Sequence, residues 1–235
     1  RLGPALEPYR KQVFLACKRV FDAPKLQDSQ RARDYVSEMQ RWQAMDLRRL
    51  DWAGWVDLAV DVARWDVRFD GGAEAGLRQA HADLRRSLHI DFGRFVEDRY
   101  PHWVRGGEDR PRLSTDIIPT AVLPHLQAGR RVFFVVIDCM RLDQWFTLEP
   151  LLEDLFEVRR EYYCSILPTA TPSSRNAIFS GLLPAKLREK HPDLWQEDTQ
   201  DDRTRNRFER QLLDAQLARI APGEERTVKY IKIYD

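Results

Sequence analysis

The stretch from Arg131 to Pro184 constrains this chain most. It opens with RVFFVVID, an apolar run broken only at its end by Asp138, and closes with SILPTATPSSRNAIFSG and a glycine-proline stop. A continuous β-branched and aromatic run of this kind reads as a strand buried on both faces, the habit of central strands in parallel sheets. Asp138 is then predicted just beyond the strand's carboxyl end, where open α/β sheets place their ligands. The second run passes between Pro168 and Pro172 into a small-residue helix, which puts Thr171 at or near a first helical turn. Free backbone N–H groups and the positive end of the helix dipole favour an anion there. A carboxylate and a hydroxyl at two strand exits point to a metal-assisted phosphoryl site.

Each of these residues also has a plainer reading. Asp138 alone could cap the helix that follows it. Thr171 could be the N-cap before Pro172, a position that would still place its hydroxyl in the anion-binding field. Asn176 could give its amide to a bound phosphate, or serve equally well as a structural amide. Arg141 and Asp143 flank the first motif and read as a pair at a helix start. For Trp145, Tyr162 and Tyr163, core packing is a stronger reading than stacking on a base.

Helical stripes dominate the chain before this stretch. Tyr9, Val13, Phe14, Cys17, Val20 and Phe21 share one face, with Pro24 as the expected stop. A second helix is expected from about Ser29, with Tyr35, Met39 and Trp42 turned inward. A third carries Trp52, Trp55, Val62, Trp65 and Phe69 as far as Gly71, and a fourth carries Leu77, His81, Leu84, Leu88, Phe92 and Phe95 until Pro101. These predict a small antiparallel bundle. The run RGGEDRPR, from Arg105 to Arg112, has the glycines and charge of an exposed hinge. Beyond it, Ser114 to Leu126 predicts a short helix or turn interrupted at Pro119. Strands are expected at 131–137, 162–166 and 228–234, with helices at 143–152, 173–179 and from Phe208. The fold class expected is therefore α/β: an all-α bundle over residues 1–112, then the start of a sheet domain over 113–235.

Composition narrows the function classes. Of 235 residues, 43% are hydrophobic, ample for a core, and 38 Lys and Arg against 37 Asp and Glu leave a formal charge of +1. Such a balance argues against a broad basic surface for nucleic acid, so phosphate binding has to come from a local site. Cys17, Cys139 and Cys164 are widely spaced, without a CxxC pattern, and fit reduced, mostly buried thiols of a cytoplasmic protein. No apolar run reaches the roughly 18 residues that would span a bilayer. With no initiating Met and an apparent strand at its end, the chain is expected to be a piece of a longer protein.

The two motifs, VVIDCMRLDQW and YYCSILPTATPSSRNAIFSGLLP, resemble the PglZ domain of the alkaline phosphatase superfamily. With the helices before them, the closest likeness is to PorX-type response regulators, in which a receiver, a helical bundle and a PglZ domain follow one another. The resemblance runs from about Leu6 to the end and is strongest in the two motifs. It implies a metal-dependent phosphodiesterase or phosphohydrolase with zinc at a two-metal site. Asp138 would be a metal ligand and Thr171 both nucleophile and metal ligand, preferred to Thr169 from the PT-x-T pattern. Implied partners are a phosphodiester substrate, oligonucleotides included, a receiver domain and a sensor kinase, with a homodimer as a further expectation and no membrane.

The histidines set a limit on this reading. A catalytic zinc takes about three protein ligands, yet the five His form no HxH or HxxxH pair and none lies beside the strand exits. His81 falls on an apolar helix face and reads as a satisfied core histidine. His102 is expected to pack at the bundle's end, and His89, His125 and His191 to lie on the surface or in loops. The metal site is therefore expected to be incomplete in this chain. Two other readings stay open: a signalling or docking module without chemistry, and a PglZ protein of a phage-defence system.

Overall fold

The structure, a computed structural model, describes residues 24–70, 75–195, 206–223 and 227–231. The expected helix from Tyr9 to Phe21 lies outside the described residues. The α-helices among them are α1 (Pro24–Gln43), α2 (Trp52–Asp70), α3 (Ala75–Trp103), α4 (Leu123–Gln127), α5 (Leu142–Glu153), α6 (Thr171–Ser180), α7 (Pro184–Lys190) and α8 (Glu209–Ile220). They fall into two compact units. One comprises the residues up to Pro101 with Arg141–Val158, the other His102–Met140 with the residues from Arg159 onward.

The first unit is built by the tryptophan-rich stripes. Helix α1 is described from Pro24, ahead of the start expected near Ser29. Asp51 opens α2 by accepting the Gly54 N–H at 2.9 Å. Tyr35, Trp42, Trp55, Leu58, Val62, Trp65, Phe69 and Leu88 then close a single core, with Met39, Leu77, Leu84, Phe92 and Phe95 against it. Tyr35 is fully buried, edge-on to Trp65 at 5.2 Å and to Phe69 at 4.9 Å. Its hydroxyl meets His81 Nδ1 at 3.1 Å, and His81 Nε2 meets Asp66 at 3.0 Å, so this buried histidine has both nitrogens bonded as its position on the stripe predicts. Arg85 also reaches Asp66, at 2.9 Å. Helix α5 packs on α2 within this unit, with the Arg64 guanidinium 5.5 Å from the centre of the Phe146 ring.

The second unit packs α6 against α8. Ile118, Val122 and Leu217 form one cluster with Val132 and Val228, while Phe179, Leu187 and Leu212 form another with Val136 and Tyr230. Gly181 ends α6 at φ 64°, its N–H bonded to Ala177 O at 2.9 Å; a Cβ there would stand 2.3 Å from the Gln216 amide, so glycine is required twice over. The expected hinge is partly tied down. Arg110 grips Asp116 at 2.6 and 3.2 Å, and Asp116 also accepts the Leu113 N–H. Burial pushes the Asp116 carboxyl up, but those bonds outweigh it and hold the group below the ordinary carboxylate range. His102, expected to pack at the bundle's end, is exposed and faces Asp109 at 3.1 Å.

The expected α/β fold class is corrected here. Among the described residues there is no strand and no sheet; the only strand-like pairing is a single parallel bridge between Leu113 and Cys164. The segments 131–137, 157–163 and 227–231 run without ladders. RVFFVVID is not buried on both faces: Phe133 is 93%, Val135 74% and Ile137 57% exposed. Its alternate residues Val132 and Val136 pack inward, and the Phe134 ring sits edge-on to Phe179 at 6.1 Å. An apolar run reports a tendency to be buried, but a strand exists only where neighbouring backbone completes its hydrogen bonds. The described residues supply one covered face and no such neighbour. The same correction applies to the strands expected at 162–166 and in the described part of 228–234.

Candidate functional site

Asp138 and Thr171 both lie near Arg175 of α6, Asp138 3.8 Å from its guanidinium and Thr171 along the same cleft. Ala170 is the N-cap and Thr171 the first helical residue, so Thr171 does not itself cap the helix. Pro172 at the second position removes one of the free amides that a helix N-terminus otherwise offers. Thr171 is half-buried and lines a cleft of about 650 Å³ whose walls are largely apolar, Val132, Phe134, Val136 and Phe179 among them. One turn further on, Arg175 lines the same cleft. Ser165 Oγ lies 2.9 Å from Ser174 Oγ and ties the preceding extended segment to the helix.

Arg175 is fixed by a partner far away in sequence. Its Nε and Nη2 donate to Glu209 Oε1 and Oε2 at 2.6 and 2.8 Å. Glu209 is fully buried at the start of α8, and it also accepts the hydroxyl of Tyr230. A buried carboxylate with a bidentate guanidinium and a phenol has its acceptors largely satisfied, the condition under which such burial is tolerated. The remaining guanidinium nitrogen, Nη1, lies 3.8 Å from Asp138 Oδ2. Asp138 is exposed, and its Oδ1 accepts the N–H of Cys139, a residue held at φ 58°. Burial, and then the Asp138 charge, hold the Tyr163 hydroxyl above its ordinary range, which puts Tyr163 in the same electrostatic neighbourhood.

Asn176 is buried and does not line the cleft. Arg141 and Asp143 pair with each other at 3.0 and 2.7 Å at the start of α5, as a helix-start pair does. Trp145 donates its indole N–H to Glu149 at 3.2 Å. Cys164 is buried, its thiol pushed up to about 11 by burial, whereas Cys139 is exposed; Cys17 lies outside the described residues. Arg175 and Glu209 are what the reading of the motifs missed. The signal for Arg175 was its spacing of four residues from Thr171, which places both on one helix face. Glu209, 34 positions later, carries no local signal.

Among the described residues, the side chains present do not fit the implied zinc. Among the described residues no three His, Cys, Asp or Glu side chains converge, and the cation beside Asp138 is a guanidinium. Nor does any helix among them have the length and apolarity to cross a membrane. Residues 117–234 match the family model of the BREX system PglZ alkaline phosphatase-like domain. Residues 25–104 match that of the PorX response regulator linker domain. No curated protein matches the chain.

Proposed function

The chain belongs to the PglZ family of alkaline phosphatase-like domains, and on that premise we propose that it is the linker and effector part of a response-regulator phosphohydrolase whose nucleophile is Thr171. The observation that carries this reading is that Thr171 and Arg175, one helical turn apart on α6, line the same cleft. The linker match supports a two-component setting, with a receiver domain and a sensor kinase as partners in the cytoplasm. The substrate class is a phosphodiester or related phosphate ester, oligonucleotides included.

Thr171 Oγ attacks phosphorus, and the bond from phosphorus to the leaving alcohol breaks as the Oγ–P bond forms. The hydroxyl proton ends on the leaving alcohol. Water then attacks phosphorus of the threonyl intermediate and the Oγ–P bond breaks, returning a proton to Thr171 and releasing a phosphate monoester from a diester substrate, or inorganic phosphate from a monoester. The start of α6 faces the oxygens on which charge develops, and a free amide there favours it. Asn176 is buried one position beyond Arg175 and is not among the residues that line the cleft.

Turnover of bis(p-nitrophenyl) phosphate and of short oligonucleotides, with and without added zinc, tests the reading. Wild type is expected to turn over and Thr171→Ala to lose activity by orders of magnitude. Zinc that fails to raise the rate would remove the expected metal dependence. Equal inactivity of both proteins under every condition would leave a docking module.

A further inference from the structure

Residues 105–116 lie between the stretches that match the two family models, 25–104 and 117–234. Their last part is fastened to the extended segment that runs towards Thr171. The Cys164 N–H donates to Arg112 O at 2.8 Å, Leu113 and Cys164 form the parallel bridge, and the Arg112 guanidinium pairs with Glu161. Further along both segments, the Ile166 N–H donates to Ser114 Oγ at 3.1 Å. Ser114 and Ile166 have no exposed surface, so this hydroxyl is the acceptor for a buried amide. Asp116 closes the turn that carries Ser114. Its carboxylate accepts the Leu113 N–H at 2.8 Å and holds Arg110 at 2.6 Å, and its own N–H donates to Leu113 O at 2.9 Å. The same turn reaches the far side of Thr171, because Ser114–Asp116 packs on α6, whose first residue is Thr171. Ser165 Oγ, 2.9 Å from Ser174 Oγ, joins the two sides directly. The stretch from Ile166 to Thr171 is therefore held at its start and at its end by one short turn.

We propose that Ser114 and Asp116 are positioning residues for Thr171: the turn they form fixes where the segment 161–166 ends, and with it where Thr171 stands along the cleft. This rests on the reading of Thr171 as the nucleophile and adds the residues that place it. Neither Ser114 nor Asp116 lines the cleft, so their effect reaches it only through Ile166 and α6. A small displacement of a nucleophile lowers the rate steeply while leaving substrate binding largely intact. A merely structural role would loosen the second unit as a whole, whereas a positioning role loosens residues 166–174 first.

Amide hydrogen exchange of the whole chain, resolved by peptide, is the first readout. Ser114→Ala leaves the Ile166 N–H without its acceptor and is expected to speed exchange across 166–174 by at least about tenfold, with α8 unchanged. Asp116→Asn keeps an acceptor for the Leu113 N–H but gives up the charge pair with Arg110. It is expected to speed the same peptide by less, and it keeps the test decisive if Ser114→Ala does not fold. Turnover of bis(p-nitrophenyl) phosphate is the second readout: kcat is expected to fall by about tenfold in Ser114→Ala, with KM within about twofold of wild type. Exchange across 166–174 that stays as in wild type in both variants, or that rises equally in α8, overturns the proposal. So does a wild-type kcat in a variant whose 166–174 exchange has risen. The two readouts separate this inference from the reading it rests on. Thr171-dependent turnover with exchange insensitive to both substitutions sinks only the inference. Local loosening in a chain with no Thr171-dependent turnover sinks the enzyme and leaves Ser114 and Asp116 as the residues that hold this segment.

Discussion

Replacing Tyr35 by Phe removes one oxygen from the centre of the linker core and nothing else. The ring stays between Trp65, Phe69 and Trp42, so the apolar burial is unchanged. What is lost is the hydrogen bond to His81 Nδ1 at 3.1 Å, in a place where the histidine is itself buried. Since His81 Nε2 faces the Asp66 carboxylate, Nδ1 is the acceptor and Tyr35 the donor. The substitution therefore strands a buried acceptor, at a cost of about 1–3 kcal/mol. Tyr35→Ala would add an unfilled cavity and cost about 3–5 kcal/mol. Urea unfolding at pH 8, followed by tryptophan fluorescence, measures both. A double-mutant cycle with His81→Leu sharpens the test, because removing both partners should cost less than the two single losses added together. A Tyr35→Phe variant within about 0.5 kcal/mol of wild type, a spread usual for surface substitutions, would refute the assignment of a buried, satisfied pair.

Three further outcomes are expected. Burial holds the His81 pKa below its ordinary value, against the opposing pull of Asp66; the unfolded chain therefore takes up the proton first, and stability is complete above about pH 6.5 and falls as the pH drops from there towards the folded value. Urea midpoints at pH 8 and pH 5.5 check this, and His81→Leu should flatten the difference. Cys139→Gly relieves a left-handed backbone at φ 58° and should raise the thermal midpoint, with a gain of up to about 1 kcal/mol. Arg175→Met leaves Glu209 buried with only Tyr230 beside it and should destabilise the second unit by about 3–5 kcal/mol in urea.

The helical part of this chain was legible because a helix can be read one face at a time. Tyr35 and Trp42, then Trp55, Val62, Trp65 and Phe69, recur at helical spacing and are all buried in one cluster. Even the buried histidine followed, since its place on the stripe implied partners. Gly181 was legible as a stop for the same local reason. The sheet was not. RVFFVVID carries every local mark of a central strand, but those marks describe side chains, and Phe133 and Val135 are exposed because no neighbouring backbone among the described residues pairs with that segment. The candidate site divides in the same way. Asp138 and Thr171 announce themselves beside their motifs, whereas the Arg175–Glu209 pair joins residues 34 apart and exists only once α6 and α8 pack together.

The central claim is that Thr171 carries the phosphoryl group during turnover. Intact-mass analysis of the protein quenched during hydrolysis of bis(p-nitrophenyl) phosphate, with the modified residue located by fragmentation, reads it directly. The account predicts an aryl phosphate adduct on the peptide containing Thr171, absent in Thr171→Ala, whose turnover falls by orders of magnitude while Thr169→Ala keeps most of its rate. Turnover at near-wild-type rate in Thr171→Ala, or an adduct that maps to Thr169, would contradict it.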